Sequence, residues 1–174
     1  MKRIVIRTEM ESDKPAVYAV NKNAFGQDAE ARLVDLLREG NTFIPDLSIV
    51  AELDGEIVGH ILFTRIKIVS EAGEEKHSLA LAPMAVLPEF QRQGIGSKLV
   101  EYGLAKAKEL GFPSVIVLGH EAYYPKFGFQ PASKWGIKPP FDVSDSVFMA
   151  IELKVGGLEA VSGTVEYPQE FSSV

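Results

Sequence analysis

Residues 91 to 97, Gln91-Arg92-Gln93-Gly94-Ile95-Gly96-Ser97, can bind an anion through the main chain alone. An apolar stretch containing Met84, Ala85 and Val86 runs into this turn. A helical pattern leaves it: Ile95, Leu99, Gly103, Ala107 and Leu110 share one face, and Gly111 stands where a stop belongs. The first turn of a helix leaves N–H groups without intrahelical partners and carries about half a positive charge. Gly94 and Gly96 put no side chain between those donors and a phosphate, so the turn suits a diphosphate.

Two well-known phosphate motifs do not fit. A dinucleotide fingerprint needs a third Gly three places after the second, where this chain has Leu99. A P-loop needs Gly-Lys-Ser/Thr, whereas the order is Gly96-Ser97-Lys98 and no Gly lies five places before Gly96. What remains, Gln91-x-x-Gly94-x-Gly96 between a strand and a long helix, resembles the acyl-CoA motif Q/R-x-x-G-x-G/A of the GNAT N-acetyltransferases. LVDLLREG at 33 to 40, YYPKFGF at 123 to 129 and VSGTVEYPQEF at 161 to 171 resemble the YhbS-like branch of that family, so the resemblance covers almost the whole chain.

The resemblance implies a GNAT-like fold, a central mixed α/β sheet of about seven strands with helices on both faces. It implies acetyl-CoA as co-substrate, with Gln91, Arg92, Gln93, Gly94, Ile95, Gly96 and Ser97 at the diphosphate and the main chain of Met84, Ala85 and Val86 at the pantetheine and acetyl group. Pro83 and Pro88 bracket that strand, and Pro cannot donate to a ladder; the strand should lie at an edge, be bulged, or part from its neighbour. Tyr124 stands where the family has the tyrosine that faces the cofactor sulfur. A phenol of pKa about 10 can protonate a departing thiolate whose thiol has pKa about 8.5, which makes Tyr124 the catalytic acid expected here, with Tyr123 as its competitor. Packing of both rings with Phe127 and Phe129 is the plain alternative. Gly119 stands where many members have an Asn that bonds the pantetheine, so that contact is missing or replaced.

These residues need elements to hold them. Ile4 to Arg7 reads as a strand, Ser12 as the cap of a helix with Pro15 in its first turn and Val17, Val20 and Ala24 on one face, and 28 to 39 as a second helix with Leu33, Leu36 and Leu37 as its stripe. Asp54-Gly55 predicts a two-residue turn within a hairpin from Leu47 to Lys67. A strand follows from about 77 to 87, the long helix from about 94 to 110, and SVIVL at 114 to 118 as a strand covered on both faces. A short helix near 121 to 127 and a strand near 147 to 154 complete a single catalytic domain, 1 to 154. Residues 155 to 174 are expected to pack on the same domain.

Composition bounds the rest. The 174 residues are 46% apolar and hold 18 bases against 24 acids, which fits one globular domain and argues against general nucleic-acid binding, since phosphate contacts need a basic face. No Cys is present, so disulfides, thiolate zinc sites and an acyl-cysteine intermediate are excluded. Direct transfer in a ternary complex to a small-molecule or peptide amine is the route that remains, with a non-catalytic acyl-CoA-binding module as the alternative function. The short apolar start after Lys2-Arg3 leads to the expectation of a cytoplasmic protein, a monomer or homodimer off the membrane. The base is open among Glu52, Glu56, Glu71 and Glu121, each more readily a surface charge. His60, His77 and His120 are read as structural, not as a metal set, and Trp135 either roofs the acceptor site or anchors the core. Residues 89 to 126 carry a net charge of 5 − 4 = +1, whereas 142 to 174 carry 1 − 6 = −5; the first admits a polyanionic cofactor and the second a cationic acceptor.

Overall fold

The computed structural model describes residues 3–174. In chain order the elements are β1 (Ile4–Thr8), α1 (Lys14–Phe25), α2 (Ala29–Glu39), β2 (Phe43–Leu53), β3 (Glu56–Val69), β4 (Glu75–Val86), α3 (Ile95–Glu109), β5 (Ser114–Leu118), β6 (Gln130–Pro131), β7 (Ile137–Lys138), β8 (Phe148–Glu152) and β9 (Gly163–Glu166). The strands form a mixed sheet and the chain divides into two compact units, with β3 and β4 contributing residues to both. The sheet has nine strands against the expected seven or so, and the two-residue pairings β6 and β7 make up the difference.

The first unit takes the residues up to Thr64, Ala82–Lys106 and Gln169–Val174. Here β1 pairs antiparallel with β2 from Ile4↔Leu53 to Thr8↔Ile49, and β2 with β3 through a turn in which Asp54 and Gly55 both have positive φ, 50° and 84°. That is the conformation the Asp-Gly dipeptide favours. Ser12 is not the cap of α1. Asp13 precedes the helix, and its carboxylate accepts from the Met10 N–H at 2.7 Å and from Arg7, so a short 3-10 turn at Glu11–Asp13 replaces the expected cap. On α1, Val17, Val20 and Asn21 are buried; on α2, Val34 is buried and Leu36 faces outward.

Two glycines set the approach of α3 to β3. A Cβ on Gly103 would lie 2.2 Å from the Phe63 ring, and one on Gly59 would meet Leu99 at 3.1 Å and Ile95 at 3.3 Å. Neither contact tolerates a side chain without movement. Leu87 N–H donates to the Val58 carbonyl at 2.9 Å, which ties the exit of β4 to β3 just before the turn into α3.

The second unit takes Arg65–Leu81 and Ala107–Pro168. Within it β4 runs parallel to β5 over Leu79↔Val115 and Ala80↔Ile116, β5 pairs antiparallel with β8, and β9 pairs with β3 and β7. The β4–β5 register covers those two residues and stops short of Pro83. Its core includes Ile66, Ile68, Ile116, Ile137, Phe148 and Val165, and the partly buried Trp135 packs against it, as the core-anchor reading of that side chain requires.

Candidate functional site

Along β4 burial alternates: Pro83, Ala85 and Leu87 point inward, and Met84 and Val86 are half-buried. A 3-10 turn at Pro88–Phe90 follows, and then the chain turns twice into the left-handed region, at Arg92 (φ 63°) and Gly94 (φ 84°). Gly adopts that conformation at no steric cost, whereas an Arg there is uncommon, and such backbone clusters where main-chain groups serve a ligand. The first helical hydrogen bond of α3 runs from Lys98 N–H to the Gly94 carbonyl at 3.1 Å, so the N–H groups of Ile95 and Gly96 precede the helical ladder. A Cβ on Gly94 would meet nothing within 4 Å, so the space over the turn is open. All of Gln91 to Gly94 is exposed. The Gln91 side chain bends back and donates from Nε2 to the Val86 carbonyl at 3.0 Å, joining the strand's end to the turn's start.

The second candidate group lies in the other unit. Tyr124 opens a 3-10 turn, Tyr124–Phe127, where a helix was expected from 121; Pro125 takes its second position and Gly128 (φ 107°) ends it. Its side chain is 7% exposed and set edge-on to Tyr123 (5.0 Å between centroids) and to Phe129 (5.6 Å), with Phe127 tilted alongside at 6.4 Å. Burial, with a smaller contribution from Tyr123, pushes the Tyr124 phenol up to about 12. Tyr123 is half-buried, with Lys126 Nζ 4.0 Å from its ring centroid. Of the two tyrosines, Tyr124 is the one withdrawn from water.

A third cluster was invisible in the sequence beyond the reading of His60 as structural. His60, fully buried on β3, has Nδ1 3.2 Å from Asn21 Nδ2 and Nε2 3.0 Å from Ser48 Oγ. Ser48 Oγ donates to Glu9 Oε1 at 2.5 Å, and Glu9 is clasped by Arg38 at 2.8 Å, both side chains being 7% exposed. Ser, His and Glu in hydrogen-bond contact have the composition of a nucleophile set. The geometry disqualifies it: the hydroxyl faces a buried ion pair, and burial, followed by the Arg38 charge, pushes the imidazole down to about 3. The cluster is a structural knot.

The candidate bases separate by partner. Glu52 is drawn to Arg7 at 3.0 Å, and Glu56, Glu71 and Glu121 are exposed. Among the described residues no group of three or more His, Asp or Glu converges to hold a metal. No helix among them is long and apolar enough to cross a membrane.

Residues 14–129 match the family model described as acetyltransferase (GNAT) family. The chain is 31% identical over 169 residues to the uncharacterized N-acetyltransferase YhbS of Escherichia coli K12, covering 97% of this chain and 99% of that protein. It is 39% identical over 136 residues to the uncharacterized N-acetyltransferase YjhQ of the same organism, covering 78% and 75%. A crystal structure of YhbS in complex with CoA superposes with a TM-score of 0.91 at 33% identity over 99% of this chain and 93% of that one. A GNAT family acetyltransferase from Brucella melitensis in complex with acetyl-CoA superposes with a TM-score of 0.79 at 32% identity over 97% and 98%.

Proposed function

The chain belongs to the acetyltransferase (GNAT) family, an N-acetyltransferase family, and from that premise we propose that it transfers an acetyl group from acetyl-CoA directly to a primary amine. Gln91 to Ser97 hold the diphosphate by main chain, Met84 to Val86 bond the pantetheine and acetyl group, and Tyr124 protonates the departing sulfur. The observation that carries this reading is the turn itself: two left-handed residues, Arg92 and Gly94, feed a helix start whose leading N–H groups precede the ladder, under open space. CoA and acetyl-CoA in the two neighbours' crystals support the identity of the ligand.

Acetyl-CoA supplies an acyl group activated as a thioester. The acceptor nitrogen forms a C–N bond as the C–S bond breaks, and sulfur leaves with the electron pair. Tyr124, held near 12, stays protonated through the neutral range and so has a proton to give. Donation to a thiolate in bulk water would run uphill, because a free thiol has a pKa of about 8.5. The burial that disfavours a phenolate disfavours a thiolate too, which narrows that gap. The proton lost by the amine passes to water, and solvent returns one to the Tyr124 phenolate; Glu52 is tied to Arg7 and the other three carboxylates are exposed.

Calorimetric titration with CoA tests the cradle, and thiol release from acetyl-CoA against a panel of amines, peptides and aminoglycosides tests the reaction. Saturable binding and amine-dependent release are expected. CoA at a hundred times its Kd should stabilise the fold by about 2.7 kcal/mol. The absence of any heat or thermal shift would remove the cofactor assignment, and binding without release would mark a non-catalytic acyl-CoA module.

A further inference from the structure

We propose that Gly119 is a positioning residue for Tyr124, a role that rests on Tyr124 being the proton donor. Gly119 follows β5 directly, and its φ lies outside the left-handed region, so its backbone would accept any residue. Space is what restricts it. A Cβ there would lie 2.3 Å from Tyr124 Cε2, 2.9 Å from Cδ2 and 3.3 Å from Cζ, so the phenol ring is seated directly against this residue. The ring has little room to withdraw, since Tyr123 and Phe129 meet it edge-on and Phe127 lies beside it.

Both ends of the seat are anchored. Gly119 N–H donates to the Val147 carbonyl at 2.9 Å, and the His120 carbonyl accepts from Tyr123 N–H at 3.1 Å and Tyr124 N–H at 3.4 Å. The turn therefore folds Tyr124 back onto residue 119. The Tyr124 hydroxyl forms no hydrogen bond with any described residue, so packing alone aims it. A side chain at 119, asparagine included, and this pose of Tyr124 exclude each other sterically.

The experiment compares Gly119→Ala, Tyr124→Phe and the double variant. Carbon-13 resonances of labelled tyrosines, with Tyr124 assigned by its loss in Tyr124→Phe, report the phenol in the free protein. In Gly119→Ala the Tyr124 titration should move down from about 12 toward the ordinary value near 10. Turnover should fall at least tenfold with KM for acetyl-CoA within a few-fold, and the double variant should be no slower than the slower single one. With Tyr124→Phe impaired, an unmoved titration and full turnover in Gly119→Ala would overturn the positioning role alone. Multiplying losses in the double variant would overturn it as well. Wild-type turnover in Tyr124→Phe would overturn the proton-donor reading itself. If Gly119→Ala folds poorly, its cost in thermal midpoint should largely vanish in a Tyr124→Ala background, and an equal cost there would refute the steric seat.

Discussion

His60 and Tyr124 are both buried and both displaced by burial from their ordinary pKa, yet their polar atoms are used in opposite ways. An amide nitrogen only donates, so Asn21 Nδ2 makes His60 Nδ1 an acceptor, and Nε2 then carries the proton and donates to Ser48 Oγ. Ser48 in turn gives its hydroxyl proton to Glu9, which Arg38 neutralises. Every proton in this chain has one place to be. Tyr124 has no such partner among the described residues: ring contacts fix it and none of them bonds its hydroxyl. A buried titratable group with all its hydrogen bonds made belongs to the architecture, whereas one held only by apolar contacts is available to a ligand.

That contrast predicts loss of stability at one place and loss of activity at the other. Arg38→Ala leaves Glu9 buried without its cation and should cost about 3–5 kcal/mol in urea unfolding, the largest effect expected of any single change discussed. A loss under 1 kcal/mol would show that the knot does not hold the fold.

Acid should loosen the same region. The unfolded chain protonates His60 as pH falls through about 6.5, but the folded chain resists until about 3. Stability is therefore constant with respect to this group above 6.5 and falls below it, at a limiting slope of about 1.4 kcal/mol per pH unit. From pH 7.5 to 5 the loss should approach about 2 kcal/mol. Asp13, held below its usual range by Arg7, adds its own loss at lower pH, so the two are separable. A flat urea midpoint from pH 7.5 to 5 would break the assignment of His60 as a committed neutral imidazole.

Tyr124→Phe should behave in the opposite sense. Removing a hydroxyl with no hydrogen-bond partner among the described residues should change stability by less than about 0.5 kcal/mol. It should lower turnover at least tenfold, about 1.4 kcal/mol in the barrier, while CoA affinity stays within a few-fold. Unchanged turnover, or a large loss of stability, would dissolve the distinction between the two residues.

Local features were legible in the sequence. Asp54-Gly55, the 94 to 110 periodicity and the apolar 114 to 118 run all sit where local chemistry put them, because hairpin turns and amphipathic helices are encoded within a few residues. The cap of α1 was misplaced because Arg7, six residues away, and the Met10 N–H take the Asp13 carboxylate, which builds a 3-10 turn ahead of the helix. The His60 knot joins residues 39 and 12 positions away, a separation at which no spacing rule operates. Strands β6 and β7, two residues each, are too short to carry alternation. In the candidate site the turn was readable as a motif, whereas the dependence of Tyr124 on Gly119 emerges only once the ring has a position.

The height at which α3 rides over β3 is set by two absent methyl groups, at Gly59 and Gly103. That mounting makes the aim of the leading amides a mechanical property of residues that touch no phosphate. On the proposed cofactor reading, variants that thicken this seam should displace the helix's amino end and weaken coenzyme A binding while leaving Gln91 to Ser97 intact.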